Sequence, residues 1–410
     1  MQCRHCANLL QHTFLDLGFA PPSNAYLSER DLVKPETYFP LRVMVCEKCW
    51  LVQTQDYTDA ESLFTANYAY FSSVSKSWLK HAQIYSSKII ESLKLGRDSF
   101  VVEIASNDGY LLRNFVEAKI PCLGIEPTDS TAVEAEALGI PVVREFFGEA
   151  LGAKLAAKKK ADLIVGNNVF AHVPDINDFS QGIKKLLKPE GIVTLEFPHL
   201  LKLIELNQFD TVYHEHFSYL SLNAVSRIFT KIGLRIFDVE ELSTHGGSLR
   251  TVICHVDSNR ETLPSVGELM DREQRAGLEN LDTYLAFQQR ADKVKDDLLL
   301  YLVEQKRAGK MVVAYGAAAK GNTLLNYAGI KPDLLSIVCD AAPAKQGNFM
   351  PGSHIPIVNP EMLREMKPDI VLVLPWNIAE EVADQNSYIR EWGGQFAIAV
   401  PQMKVFERSL

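Results

Sequence analysis

Glu103-Ile-Ala-Ser-Asn-Asp-Gly109 follows the apolar run Phe100-Val101-Val102 and precedes a helical pattern, Tyr110-Leu-Leu-Arg-Asn-Phe115. A strand that breaks at a small, glycine-containing turn and restarts as a helix is a nucleotide-binding crossover. The turn lets main-chain amides and the helix N-terminus approach polar ligand atoms. Glu126, in Leu-Gly-Ile-Glu-Pro, closes the next apolar run, where a carboxylate can hold ribose hydroxyls. One nucleoside-bearing cofactor is expected, and its identity decides the function.

A dinucleotide turn needs three glycines, for the tight turn, the pyrophosphate approach and the helix packing. Only Gly109 is present, and Asp108 would face a pyrophosphate with like charge, which disfavours NAD. S-adenosylmethionine has no phosphate and carries an ammonium and a sulfonium. A turn rich in Ser106, Asn107 and Asp108, headed by Glu103, suits that cationic ligand. The segment resembles the first motif of class I methyltransferases, with Glu126 in the ribose position. Asn167-Asn168-Val-Phe-Ala-His172-Val-Pro-Asp175 and Leu187-Lys-Pro-Glu-Gly191 also resemble that class. The expected cofactor-binding residues are therefore Glu103, Ser106, Asn107, Gly109, Glu126, Asn167 and Asn168. A plain nucleotide-binding fold is the alternative.

Around this turn, strands and helices alternate from Ser99 to about Asp257. Candidate strands are residues 100–104, 123–126, 142–143, 163–166, 192–197, 235–239 and 249–255, the last two read as a closing hairpin. That pattern implies a largely parallel, doubly wound sheet. Residues from about 59 to 95 read as a helical lead-in and 262–308 as one or two long, charged helices. A second alternating unit follows, with strands at Met311-Val-Val-Ala-Tyr315, Ser336-Ile-Val-Cys339 and Ile370-Val-Leu-Val-Leu374. Its turn, Gly316-Ala-Ala-Ala-Lys-Gly321, leads to a helix expected from Asn322. The fold class is α/β with three units. These are a zinc-binding module (1–58), a class I, Rossmann-like methyltransferase domain with its lead-in (59–260), and helices plus a C-terminal Rossmann-like domain (261–410).

The zinc module rests on Cys3/Cys6 and Cys46/Cys49, four of the seven cysteines. Two Cys-x-x-Cys turns supply four thiolates, a closed tetrahedral set for structural Zn2+ with no open position for catalysis. A redox role is the rival, but a redox pair sits at the start of a helix after a strand, and Cys3 has almost no chain before it.

The 410 residues are 47% hydrophobic and 23% charged, the profile of an ordinary globular chain of two or three domains. A net charge of −9 argues against a nucleic-acid partner, since phosphate binding needs clustered Lys and Arg. Lys158-Lys159-Lys160 reads as a solvated helix end. No apolar run approaches the ~20 residues that span a bilayer, and no signal-peptide core is visible, so a cytoplasmic location is expected. The partner expected is a small molecule, and the chain a monomer or small homo-oligomer.

Tyr213-His214-Glu215-His216 carries the candidate chemistry. As an extended segment it would place Tyr213 and Glu215 on one side and the two histidines on the other. A histidine facing the cofactor can act as a general base near neutral pH. The rival readings are a metal pair, disfavoured because the spacing is i, i+2 rather than i, i+4, and a buried polar loop.

With these motifs assembled, the chain resembles the nucleotide-sugar C-methyltransferases of deoxysugar biosynthesis. The resemblance runs through both Cys-x-x-Cys pairs, Glu103–Gly109, Tyr213–His216, Thr244-His-Gly-Gly-Ser-Leu-Arg250 and Tyr315–Gly321, and covers essentially the whole chain. It implies His216 as base, with substrate-side roles for Tyr213, Glu215, His172 and a tyrosine of the Tyr68/Tyr70 pair, Tyr68 being preferred. The implied substrate is a nucleoside-diphosphate 4-keto-6-deoxy sugar, dTDP-linked and methylated at C3. His216 would remove the proton beside the ketone, and Tyr213 or His172 would stabilise the enolate oxygen. Lys320 and Asn322 are read as substrate contacts in a shared cleft, a second cofactor site or a packing domain being the alternatives. Thr244–Arg250 is either a hairpin turn or a substrate contact through His245, Ser248 or Arg250. An O- or N-methyltransferase, or a non-catalytic zinc and nucleotide-binding protein, remain as other functions.

Overall fold

The computed structural model describes residues 1–55 and 71–406; Tyr68 and Tyr70 lie outside the described residues. Strands β1 (His12–Ala20), β2 (Phe39–Val45) and β3 (Val52–Thr54) form an antiparallel N-terminal sheet. Next come β4 (Val101–Ile104), β5 (Cys122–Ile125), β6 (Val142–Val143), β7 (Ala161–Asn167) and β8 (Leu187–Pro198). β9 (Ser218–Tyr219) returns to the N-terminal sheet and pairs antiparallel with β3. β10 (Leu234–Leu242) and β11 (Ser248–His255) complete a central sheet of order β10-β11-β8-β7-β4-β5-β6. It is parallel from β6 to β8, and β8–β11–β10 is antiparallel, as expected for a closing hairpin. Connections leave β4 towards β5 on one side and return to β7 on the other, so ligands are expected at the carboxyl end of β4.

Leu187–Gly191, expected before the fifth strand, instead forms the start of β8. The pairing slips between Ala161 and Leu163, and the extra residues are absorbed there as a bulge. The helix Ile176–Leu186 begins where Asp175 accepts hydrogen bonds from the Asn177 and Asp178 amides. It buries Ile176, Phe179, Ile183 and Leu186 at helical spacing, each contributing about 1.5–3 kcal/mol relative to exposure.

Residues 262–308 hold three helices rather than one or two: Pro264–Arg275, Leu281–Leu285 and Phe287–Arg307. The last lays Phe287, Ala291, Val294, Leu298 and Leu302 into a core shared with β1, the segment Phe209–Val212 and the C-terminal sheet. That sheet contains β12 (Val312–Tyr315), β13 (Val338–Cys339), β14 (Ile357–Val358), β15 (Ile370–Val373), β16 (Gln395–Ile398) and β17 (Lys404–Phe406). Its order is β14-β13-β12-β15-β16-β17, parallel except for the last pair. The helix after β12 starts at Ala319, not at Asn322, which puts Lys320 in its first turn. Among the described residues no helix is long and apolar enough to cross a membrane.

Candidate active site

The two cysteine turns are built alike. Ala7 N–H closes onto the Cys3 carbonyl at 2.9 Å and Trp50 N–H onto the Cys46 carbonyl at 2.8 Å. Ala7 and Trp50 both adopt left-handed backbone, at φ 60° and 61°. The four Sγ atoms lie within 4.8 Å of one another, with Cys3–Cys49 and Cys6–Cys46 at 3.5 Å. Tetrahedral zinc with ~2.3 Å bonds requires sulfur–sulfur edges of about 3.8 Å, so the set fits that ion. Gln53 Nε2 donates to Cys3 Sγ at 3.2 Å and bridges the metal site to β3.

At the end of β4, Ala105 (φ 58°), Asn107 (φ 48°) and Gly109 (φ 78°) alternate into left-handed backbone, a concave turn in which main-chain amides can converge. A Cβ at Gly109 would meet Ile140 Cδ1 at 2.5 Å, so this glycine lets the turn pack against its own domain. Glu126 accepts from the Asn107 and Thr128 amides, both at 2.9 Å, and ties β5 to the turn. Asn107 Oδ1 and Asp108 Oδ2 accept from the Ser72 and Ser73 amides at 2.9 Å. Burial holds the Glu103 carboxyl well above the usual carboxylate range; the charges of Asp108 and Glu126 add to this, and Tyr110 offsets part of it. Three acidic groups beside a strained turn favour a cationic ligand. Ser106 Oγ and the side-chain amide of Asn167, at the end of β7, are buried and unpartnered. These features fit S-adenosylmethionine, which would be held by Glu103, Asp108, Glu126 and Asn167. Asn168 (φ 54°) instead donates to His245 Nε2 at 3.0 Å.

Tyr213–His216 is a turn and not an extended segment: His216 N–H closes onto the Tyr213 carbonyl at 3.0 Å. The turn brings the Tyr213 and His216 rings to 4.0 Å between centroids and sends His214 away, edge-on to Phe39. The alternation expected of the two histidines therefore fails. His172 joins from the short helical turn after β7, its ring 4.7 Å from His216. His216 Nδ1 lies 2.9 Å from the Thr211 carbonyl oxygen and His172 Nδ1 lies 2.8 Å from that of Glu215. Each Nδ1–H must donate, which leaves Nε2 as the basic nitrogen of the neutral ring. Burial, with His172, lowers the His216 pKa well below the ordinary imidazole value. Burial lowers His172 to about 4 and raises Glu215 to about 7.

Other expected contacts are placed differently. Both terminal nitrogens of Arg250 are spent on Glu240 (2.7 Å) and Glu196 (2.6 Å), with the guanidinium over Tyr85, so this side chain is a buried structural tie. Ser248 Oγ donates to the Thr244 carbonyl and closes the hairpin. Asn322 Nδ2 donates to the Ser23 carbonyl, anchoring an N-terminal loop. These three polar groups serve the fold, because each is buried against its own protein partner. His245 stays with the site: left-handed at φ 54°, it faces Trp78 and Asn168. At the turn after β12, the Ala317 amide donates to Asp340 at 2.7 Å, and its carbonyl accepts from Tyr26 and Lys345. Groups that a second dinucleotide would claim are thus already engaged.

Sequence reasoning missed Asn24, whose Nδ2 donates to both Glu215 oxygens at 2.8 and 3.1 Å. It also missed Thr54, Thr211 and Trp376. Pro21-Pro22-Ser23-Asn24 signals a loop, but no local pattern says that the loop reaches residue 215.

Residues 3–64 match a zinc binding domain family, 78–239 a methyltransferase domain, and 243–401 the C-methyltransferase C-terminal domain. The chain is 33% identical over 405 residues to C-methyltransferase NovU of Streptomyces niveus, covering 98% of this chain and 96% of that one. The chain belongs to the C-methyltransferases. Similar solved structures include the PH0226 protein of Pyrococcus horikoshii OT3, 13% identical with a TM-score of 0.38, covering 49% of this chain and 100% of that one. Another is magnesium protoporphyrin IX methyltransferase of Synechocystis PCC 6803 with bound SAH, 13% identical with a TM-score of 0.34 (43% and 82% covered). This C-methyltransferase is an S-adenosylmethionine-dependent enzyme with a structural zinc module at its N-terminus.

Proposed function

We propose that the enzyme methylates C3 of a nucleoside-diphosphate 4-keto-6-deoxy sugar, dTDP-linked, with His216 as the general base. The observation that carries the reading is the Nδ1–H bond from His216 to the Thr211 carbonyl. It fixes the tautomer and aims a neutral Nε2 away from that carbonyl, as a base for a carbon acid requires. Membership of the C-methyltransferases supports a carbon acceptor over oxygen or nitrogen. A carbon becomes nucleophilic when a neighbouring ketone stabilises the carbanion as an enolate, which a 4-keto sugar provides at C3. S-adenosylmethionine, when bound, supplies a methyl group on a positively charged sulfur.

In this reading His216 takes the C3 proton, Tyr213 and His172 frame the imidazole, and Glu215, the preceding residue of the turn, held by Asn24, is assigned the negative charge that balances the imidazolium formed. The Tyr68/Tyr70 pair and His245 are kept as substrate contacts. Chain units 1–58, 59–260 and 261–410 then act as metal clamp, methyltransferase and substrate-side wall. Incubation with labelled S-adenosylmethionine and a panel of dTDP-, GDP- and CDP-4-keto-6-deoxy sugars tests the assignment. Label should appear at C3 of the dTDP-linked sugar; label on oxygen or nitrogen of any acceptor rejects it.

A further inference from the structure

Lys320 is half-buried in the first turn of the helix that follows β12. Its ammonium donates to Asn377 Oδ1 at 2.6 Å and lies 4.8 Å from the centroid of the Trp376 ring. One of its three N–H donors is thereby spent, and among the described residues it forms no ion pair. Even a half-buried ammonium without a contacting anion is costly. Burial accordingly lowers its pKa from the ordinary lysine value, while Asp210 acts in the opposite sense. Asp210 is held by Trp376 Nε1 at 2.8 Å on one oxygen, and its other oxygen is buried and unpartnered. Trp376, which carries the ammonium on its ring, packs on Gly246 beside His245, and the Asp210 that it holds precedes Thr211, whose carbonyl receives the His216 Nδ1–H.

Among the described residues, the other rings packed on His216 carry no positive charge at neutral pH. Burial pushes His172 and His245 down to about 4, so both rings are neutral, and the Tyr213 ring lies tilted against the base. His216 is itself a weakened base. The proton beside a ketone is far less acidic than an imidazolium, so such a base transfers it only if the developing oxyanion is strongly stabilised. Lys320 is a preorganised cation contributed from across the domain boundary.

We propose that Lys320 is a catalytic residue that stabilises the enolate oxygen as the substrate is deprotonated. The role rests on the substrate assignment above. His216 Nε2 accepts the C3 proton, the C3–H pair becomes the C3–C4 double bond, and the carbonyl π pair moves to oxygen, which faces the ammonium as O⁻. An ammonium facing the developing O⁻ thus acidifies the substrate at C3.

The test is exchange of the C3 hydrogen in D2O, followed by NMR on a dTDP-4-keto-6-deoxy sugar with the zinc-loaded full chain and no methyl donor. Lys320→Met should lower the exchange rate at saturating sugar by about 10²-fold or more, with dTDP and S-adenosylmethionine affinities unchanged by calorimetry. Lys320→Arg keeps a cation and should exchange faster than Lys320→Met. Exchange at the wild-type rate in Lys320→Met overturns the proposal. So does a loss of dTDP affinity with an unchanged saturated rate, which would place the lysine on the diphosphate. Absence of exchange in the wild-type enzyme across the keto-sugar panel overturns the substrate assignment itself, and this role with it.

Discussion

Thr54 Oγ1 donates to the main-chain carbonyl of His216 across 2.5 Å, joining β3 to the proposed base. β3 begins just beyond the Cys46–Cys49 turn, and its Thr54 amide also donates to the Phe217 carbonyl at 3.1 Å. Val52 pairs with Tyr219 on the far side of the same turn. The metal that clamps the cysteines therefore braces the segment carrying His216, although it lies outside the chemistry. Chelation of zinc, or Cys49→Ala, should lower kcat by at least about tenfold, the scale of disturbed outer supports at metal sites. The calorimetric affinity for S-adenosylmethionine should persist, because the β4 turn lies in another sheet. Full turnover after verified zinc loss would refute the coupling.

Glu103→Gln should separate stability from binding. The folded protein holds Glu103 above its unfolded value, so the neutral acid is favoured in the fold. That contribution is complete below the unfolded pKa of about 4.3 and is lost as pH rises through the folded value. Ligand-free wild-type protein should lose Tm with rising pH more steeply than Glu103→Gln, measured by calorimetry over that range. At pH 7 the variant should be at least as stable, yet bind S-adenosylmethionine about tenfold or more weakly, since an amide cannot ionise to meet the cationic ligand as the carboxyl can. A variant binding as tightly as wild type would detach Glu103 from the cofactor.

The strand-turn-helix at residues 100–115 and the cysteine turns were legible because their chemistry is local. A glycine-containing turn between apolar runs, and thiolates on paired knuckles, are set by neighbours in sequence. Strand positions in the central sheet followed from the same apolar runs. Tyr213–His216 was legible as a polar cluster but not as a shape. Extended alternation was a fair reading of four residues, and it fails because the Tyr213 carbonyl captures the His216 amide. Arg250 looked like a ligand-binding cation only because its partners, Glu196 and Glu240, come from two other strands. Asn24 on Glu215 and Trp376 on Asp210 depend on packing between distant segments, which no window of sequence contains.

Gly246 gives a test of how the C-terminal domain supports the Thr244–Ser248 loop. It holds φ +90°, and a Cβ there would stand 2.3 Å from Trp376 Cη2 and 3.0 Å from Gln208 Nε2. Gly246→Ala must either rotate the indole away from Asp210 or distort the loop that presents His245. Left-handed strain together with overpacking costs roughly 1–3 kcal/mol each. A lowered Tm and reduced turnover are expected by calorimetry and methyl-transfer assay. A Gly246→Ala enzyme of wild-type stability and rate would show that the contact is dispensable.

Asn24 should set the pH at which Glu215 becomes an anion. Burial raises the Glu215 pKa to about 7, and the Asn24 amide, donating to both oxygens, pulls it back. His216 loses its proton below the ordinary imidazole value of about 6.5, so its neutral form is already complete near neutrality. If the imidazolium formed on proton transfer needs the Glu215 charge, kcat/KM gains with rising pH through about 7, and that limb belongs to the carboxylate. Asn24→Ala removes the donor and should move the limb to higher pH. Glu215→Gln should erase it, leaving a slower enzyme whose remaining acid limb lies below about 6.5. The check is a kcat/KM profile for the three enzymes; limbs that coincide would show that Glu215 does not titrate in the reaction.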